Sequence, residues 1–279
     1  MKIELASSYG FCFGVKRAIE IAQKYENSAT MGPLIHNEDE INRLKKDFNV
    51  GLYSQLSDVK PDDTVIIRTH GIPKNDLKEL KKGVKKVINA TCPFVTTPQN
   101  IVKNMSKEGY SILIFGDIEH PEVKGVKSYA CDLDDVHIIL SPKDLKNIKF
   151  KNNKIACVAQ TTKKKETYLE IINELILKNK EVRVFNTICD ATFENQDAAR
   201  DISIKADIMI VIGGKSSSNT KQLHSICLEN CKDSYLIENE QELEISWFKD
   251  KKFCGITAGA STPDWVIQKV YEKIKSFKP

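Results

Sequence analysis

Three cysteines occupy the same kind of place in this chain. Cys12 lies in Tyr9-Gly10-Phe11-Cys12-Phe13-Gly14-Val15, Cys92 in Val87-Ile88-Asn89-Ala90-Thr91-Cys92-Pro93, and Cys189 in Asn186-Thr187-Ile188-Cys189-Asp190-Ala191-Thr192. Each follows an apolar run and precedes an amphipathic stretch, so each thiol is predicted in a turn from strand to helix. A cysteine used for packing sits more often inside a strand or on a helix face. Together the three read as one shared metal site. A structural zinc site would call for a fourth ligand and short C-x-x-C spacing, which the chain lacks. An iron–sulfur cubane normally takes four cysteines. With three, one iron is open to a substrate and can act as a Lewis acid. Spacing by itself is equally compatible with three reduced thiols near strand ends.

Two further polar loops follow each cysteine. The first is Gly32-Pro33-Leu34-Ile35-His36-Asn37, then Gly116-Asp117-Ile118-Glu119-His120-Pro121-Glu122-Val123, then Gly213-Gly214-Lys215-Ser216-Ser217-Ser218-Asn219. His36, His120 and Ser217 stand 24, 28 and 28 residues after their cysteines. The second is Arg68-Thr69-His70-Gly71, Ala159-Gln160-Thr161-Thr162 and Thr257-Ala258-Gly259-Ala260-Ser261-Thr262; His70, Thr161 and Ser261 stand 58, 69 and 72 residues on. His36, His70 and His120 account for three of the five histidines. With Ser217, Ser218, Asn219 and Ser261 they form a donor-rich set suited to a phosphate or diphosphate, aided by helix N-termini. Glu122 is placed to deliver protons to a bound ligand; a first-turn acid stabilised by the helix dipole is the plainer alternative. Thr161 and Thr162 are placed to orient a hydroxyl, or simply to cap the next helix.

The elements that must carry these loops alternate along the chain. Strands are expected at 64–68, 111–115, 137–140, 154–159, 207–212 and 253–257, several of them apolar on both faces as buried parallel strands are. Helices are expected after most, for example 168–177 and 265–274. The fold class is α/β with parallel sheets. The repeating loops divide the chain into three units, 1–90, 91–187 and 188–279. Ligands of open α/β sheets bind beyond the carboxyl ends of strands. Three units around a pseudo-threefold axis, a trefoil, would bring all nine polar loops to one central cavity.

Composition narrows the function. With 42 basic and 38 acidic residues the net charge is +4, too balanced to argue for nucleic acid. The lysines of 78–86 and 163–165 read as solvated helix faces. No signal peptide and no apolar run of membrane-spanning length is seen, which predicts a cytoplasmic protein with no membrane partner. Eight cysteines there point to metal or catalysis before disulfides. Cys131, Cys157, Cys227, Cys231 and Cys254 read as structural. No apolar stripe stands out, so a monomer is expected.

The ordered motifs resemble the 4-hydroxy-3-methylbut-2-enyl diphosphate reductase family of the methylerythritol phosphate route to isoprenoids. The resemblance rests on Gly10-Phe11-Cys12-Phe13-Gly14-Val15, Ala90-Thr91-Cys92-Pro93, His120-Pro121-Glu122-Val123, Gln160-Thr161-Thr162, Ile188-Cys189-Asp190-Ala191-Thr192, Ser217-Ser218-Asn219 and Thr257-Ala258-Gly259-Ala260-Ser261. It spans essentially the whole chain. It implies a trefoil around a [4Fe–4S] cluster held by Cys12, Cys92 and Cys189. It also implies a reductive dehydroxylation at the open iron, giving isopentenyl and dimethylallyl diphosphate. The resemblance assigns His36, His70, His120, Ser217, Ser218, Asn219 and Ser261 to the diphosphate and Glu122 to the proton path. It gives the substrate hydroxyl to Thr161, and lesser supporting parts to Thr192 and Gln160. It implies a ferredoxin or flavodoxin as electron donor, since Gly213-Gly214 is too short for a dinucleotide fingerprint. Without an added C-terminal domain, the short bacterial form is indicated. Two positions depart from the family pattern: Glu119 where glycine is frequent before His-Pro-Glu, and Asn89 where aspartate is frequent before Ala-Thr-Cys.

Two other readings compete. A non-catalytic iron–sulfur sensor or carrier would use the cysteines but leave the Ser-Ser-Asn loop and the histidines without a task. A zinc phosphohydrolase would use the histidines and Glu122 but wants its ligands in close sequence pairs.

Overall fold

The computed structural model describes residues 1–277. The strands are β1 (Lys2–Leu5), β2 (Ala29–Met31), β3 (Gly51–Tyr53), β4 (Thr64–Ile67), β5 (Lys86–Asn89), β6 (Ser111–Phe115), β7 (Val136–Ile139), β8 (Lys154–Ala159), β9 (Glu181–Val184), β10 (Ile208–Ile212), β11 (Ser234–Ile237) and β12 (Phe253–Ala258). The helices are α1 (Phe13–Lys24), α2 (Glu38–Phe48), α3 (Lys74–Gly83), α4 (Pro93–Lys107), α5 (Pro121–Lys127), α6 (Lys165–Lys178), α7 (Asp190–Ser203), α8 (Ser218–Asn230) and α9 (Asp264–Ser276). Among the described residues no helix is long and apolar enough to cross a membrane. Strands expected at 111–115 and 154–159 have those bounds, and the other expected strands lie within one residue of theirs at either end.

The strands form three parallel sheets of four. The α/β class with parallel sheets therefore holds. The cause is visible in the central strands: every residue of β6 and β10 is buried, so both faces must be covered by helices. Removing each of these large apolar side chains from water contributes about 1.5–3 kcal/mol.

By its contacts the chain divides into two compact units, not at 90 and 187. One unit holds Met1–Lys16, Ile35–Arg43 and the chain from Asp190 onward; the other holds Arg17–Leu34 and Leu44–Cys189. The second unit contains two sheets, ordered β3-β2-β4-β5 and β7-β6-β8-β9. The first contains one, β11-β10-β12-β1. The order is the same in all three, with β1 standing where β5 and β9 stand. Lys2–Leu5 pairs in register with Phe253–Ile256, so the first strand completes the last sheet. The three sheets thus share one order, cyclically shifted along the chain. A cysteine turn ends one sheet and begins the helix that leads to the next.

Hydrogen bonds beyond the strands fix the equivalence. The amide of Cys92 donates to the carbonyl of Thr69, that of Cys189 to Thr161, and that of Cys12 to Ala260, at 3.0, 3.1 and 3.2 Å. By this register Thr161 corresponds to Thr69, one residue before the place of His70 and Ser261. Gly32, Gly116 and Gly213 are likewise equivalent, each donating to the last residue of the neighbouring strand: Tyr53, Ile139 and Ile237. Side chains are excluded at Gly116 by Val123, whose Cγ2 would lie 2.6 Å from an added Cβ.

Candidate active site

Each cysteine turn is held by its own sheet before any ligand is considered. Cys92 caps α4, and its carbonyl accepts from Val95 and Thr96. Cys12 stands in the same relation to α1, its carbonyl accepting from Lys16 at 3.0 Å. Cys189 directly precedes α7. Arg17 donates to the carbonyls of Thr91 and Asn89, bracing the turn that leads into Cys92. Asn89 accepts from the Thr91 amide at 3.0 Å, a turn that an aspartate would make in the same way. Ser8 donates to Asn195 at 2.6 Å and ties the segment before Cys12 to α7.

The eight cysteines sort by environment. None is in a disulfide. Cys12, Cys92 and Cys189 are half-buried at helix starts. Cys157, Cys227, Cys231 and Cys254 are buried. Burial pushes the thiols of Cys157, Cys227 and Cys254 up to about 12, so they stay protonated and serve packing. His224 bonds the Ser234 carbonyl at 3.0 Å and so has a structural task beside Cys227. Cys131, expected to be structural, is instead exposed after α5. The donor set suits an iron–sulfur group: the three accessible thiols at helix N-termini are those in the repeat turns.

Glu122 lies at the second position of α5 and is 1% exposed. Its Oε1 accepts from the Thr161 amide and its Oε2 from the Thr161 hydroxyl, both at 2.7 Å. Burial raises its carboxyl from 4.5 to about 7, against the pull of those two bonds and of Lys163. It is therefore an acid that holds a proton near neutrality and stands fixed against Thr161. Glu122 is a first-turn acid of α5, as the plainer reading had it, and it is also a buried one.

The same helix start orients His120. Its Nδ1 accepts from the Glu122 amide at 3.2 Å, so the neutral ring carries its proton on Nε2. His70 lies edge-on to it, ring centroids 5.4 Å apart. The Thr69 hydroxyl donates to the Leu34 carbonyl at 2.9 Å and lies 3.3 Å from His70 Nδ1, which must then be the donor in that contact. The two rings are thus held in opposite tautomers by their own loops.

In the other unit, His36, Ser217, Ser218, Asn219 and Ser261 gather around the start of α8. Ser261 Oγ donates to the His36 carbonyl at 3.2 Å, and an added Cβ on Gly214 would meet that carbonyl at 2.4 Å. Ser217 caps α8 by accepting from Thr220. Asn219 is 4% exposed, and both its amide atoms are buried without a hydrogen-bond partner. Such a group costs about 1–3 kcal/mol unless something completes it. Thr220 Oγ1 and Thr257 Oγ1, both fully buried nearby in sequence to these loops, are left the same way.

Sequence reasoning missed one group. Lys163, read as part of a solvated run, is only 8% exposed. Its Nζ sits 5.7 Å from the centre of the Phe115 ring. Neighbouring Lys164 and Lys165 gave the run its solvent-facing pattern. Glu119 reaches Lys124 at 2.7 Å on the surface, so its departure from the family pattern leaves the buried groups untouched.

Comparison with known proteins agrees over the full length. The pattern of the LytB protein family matches residues 3–275. The 4-hydroxy-3-methylbut-2-enyl diphosphate reductase of Sulfurovum sp. (strain NBC37-1) is 64% identical over 278 residues, covering 100% of both chains. The protein of the same name from Campylobacter jejuni subsp. jejuni serotype O:23/36 is 61% identical, covering 100% of this chain and 99% of the relative. A solved structure of (E)-4-hydroxy-3-methyl-but-2-enyl diphosphate reductase, the terminal enzyme of the non-mevalonate pathway, is 41% identical. It aligns with TM-score 0.71 over 98% of this chain and 99% of that one. The E-1-hydroxy-2-methyl-but-2-enyl-4-diphosphate reductase from Plasmodium falciparum is 30% identical, with TM-score 0.90 over 97% and 87%. With its cysteine turns, its buried acid and its full-length match, this chain belongs to the LytB protein family.

Proposed function

We propose that this chain reduces (E)-4-hydroxy-3-methylbut-2-enyl diphosphate to isopentenyl and dimethylallyl diphosphate, the terminal reductase step of the non-mevalonate pathway. The observation that carries the reading is Glu122: a fully buried acid near neutral, bonded twice by Thr161, in a chain that matches named reductases end to end. The reaction removes an allylic hydroxyl as water and needs two electrons and two protons.

Cys12, Cys92 and Cys189 would hold a [4Fe–4S] group. When bound, that group supplies the electrons and an open iron as Lewis acid. The chain supplies the rest. Thr161 orients the substrate hydroxyl through the Oγ that already meets Glu122. The Glu122 carboxyl holds a proton in a dry site and delivers it as the hydroxyl leaves. His120 presents Nε2–H to the diphosphate, and His36, His70, Ser217, Ser218 and Ser261 add donors. Asn219 brings buried amide atoms that a ligand would complete. Electrons come from a reduced ferredoxin or flavodoxin. The reading places the enzyme in the cytoplasm, where thiols without disulfides are stable.

The test is anaerobic. Reduced, iron-loaded protein is titrated with the hydroxylated diphosphate while its iron–sulfur EPR signal and product release are followed. A signal that changes shape, with formation of both five-carbon diphosphates, is expected. A signal indifferent to substrate and no product would overturn the reading in favour of a sensor or carrier.

A further inference from the structure

Lys163 is a cation where the sequence pattern called for solvent. It closes the 160–163 turn, its amide donating to the Gln160 carbonyl at 3.1 Å. Its side chain runs back over the face of Phe115, itself 2% exposed. Neither a salt bridge within 4.0 Å nor a hydrogen bond is made by its Nζ among the described residues. The charges it feels are two carboxylates, Asp117 and Glu122, which oppose the effect of burial on its ammonium. Asp117 is fixed to the same turn, its amide donating to Gln160 Oε1 at 3.0 Å, and Gln160 Nε2 donates on to Thr162. Thr161, within that turn, holds both oxygens of Glu122. The turn therefore grips the acid and carries a buried positive charge beside it.

The other charged or titratable groups around Glu122 do different work. His120 spends Nδ1 on the Glu122 amide, and His70 lies against His120. Lys124 on the same helix turns outward to Glu119. Lys103 and Lys107 on α4, which packs against α5, and Arg68 before His70 exert no resolved pull on the Glu122 carboxyl. Among the described residues Lys163 is the cation whose charge opposes the rise at Glu122.

We propose that Lys163 is a positioning residue for the Glu122 proton: its ammonium, clamped over Phe115 in the turn that grips the carboxyl, sets the pH at which Glu122 lets that proton go. The inference deepens the proposed function, since it takes Glu122 as the proton donor. A buried cation in the turn that grips the carboxyl favours the ionised carboxylate in a medium of low dielectric. An acid donates best when its affinity for the proton matches the working pH. Without Lys163, Glu122 would hold its proton more tightly than the reaction wants.

The experiment uses the iron-loaded protein and two readouts. The first is the protonated-carboxyl infrared band of Glu122, assigned by its absence in Glu122→Gln and titrated with pH. The second is the pH profile of turnover. In Lys163→Met the infrared midpoint should move up by roughly half a unit to one unit, and in Lys163→Arg by less than a third of that. The alkaline limb of turnover should follow the same order, with KM little changed. Lys163→Gln provides a folded alternative should the methionine variant fail to fold. A midpoint unmoved in a folded neutral variant overturns the proposal. A midpoint that moves while the alkaline limb stays in place upholds the action of Lys163 and removes Glu122 from the role of proton donor.

Discussion

Two buried polar regions of this molecule are finished to different degrees. Around Glu122 the hydrogen bonds are complete: both carboxyl oxygens meet Thr161, and His120 closes the helix start. At the start of α8, Asn219 is equally buried, yet both amide atoms lack partners. The first region is an acid set in place by the fold. The second leaves both amide atoms of a buried asparagine unmet. The difference teaches where each kind of energy is spent. A reacting group gains from being fixed before substrate arrives, whereas a binding group can carry its unmade bonds as affinity.

The most severe way to break this comparison is to remove one of the proposed cluster ligands. Cys12→Ser should lose the iron–sulfur signal and all turnover, while Cys157→Ser, altering a thiol buried in β8, should keep its iron. Iron analysis of the two variants decides between the accessible and the buried thiols. Next, Glu122→Gln should keep iron and substrate binding but lose on the order of 10²–10⁴ in turnover, as expected for general acid catalysis. Thr161→Val removes one of the two bonds to the acid and the hydroxyl contact, and should cost about 10–100-fold in turnover with little change in KM.

The open region responds differently. Asn219→Leu should raise KM roughly tenfold or more, because a buried bond to a charged ligand is gone. In ligand-free protein the same change should leave melting unchanged or raise it, since it removes two unmet polar atoms. A lower melting temperature would show that the native protein already satisfies Asn219. A further effect concerns stability and pH. Glu122 holds its proton to about 7 when folded and to 4.5 when unfolded. Its burial therefore costs nothing below pH 4.5, costs progressively more as pH rises to about 7, and stays constant above. Relative to Glu122→Gln, the native protein should lose up to about 3 kcal/mol across that window, in a urea titration at two pH values.

How much of this was legible in the sequence depends on the range of the interaction. The turns at Cys12, Cys92 and Cys189, and the strand runs that feed them, are local patterns and read directly. The parallel sheets followed from β6 and β10 being apolar on both faces. Membership of β1 in the last sheet did not, because its partner lies some 250 residues away. Nor did the single-residue difference that sets Thr161 beside Thr69 rather than beside His70; polar residues were matched by type, whereas the hydrogen bonds match them by register. Lys163 was lost among three consecutive lysines, since only packing reveals which of them is turned inward. The resemblance implies roles for Asn219 and Thr161; what the sequence did not reveal is the unmet amide atoms at one and the doubly held carboxyl at the other.

The pairing of β1 with β12 has a consequence for how the protein is made. Residues 2–5 leave the ribosome some 250 residues ahead of their partners at 253–256. At 5–20 residues per second, β1 waits roughly 12–50 s for its place in a sheet. The turn at Cys12, tied to the Ala260 carbonyl, is the last of the three cysteine turns to be set. The sheets bearing Cys92 and Cys189 can form while synthesis continues. Moving residues 1–11 behind the last helix by circular permutation would give β1 its neighbour at once, and should speed completion of this sheet during folding.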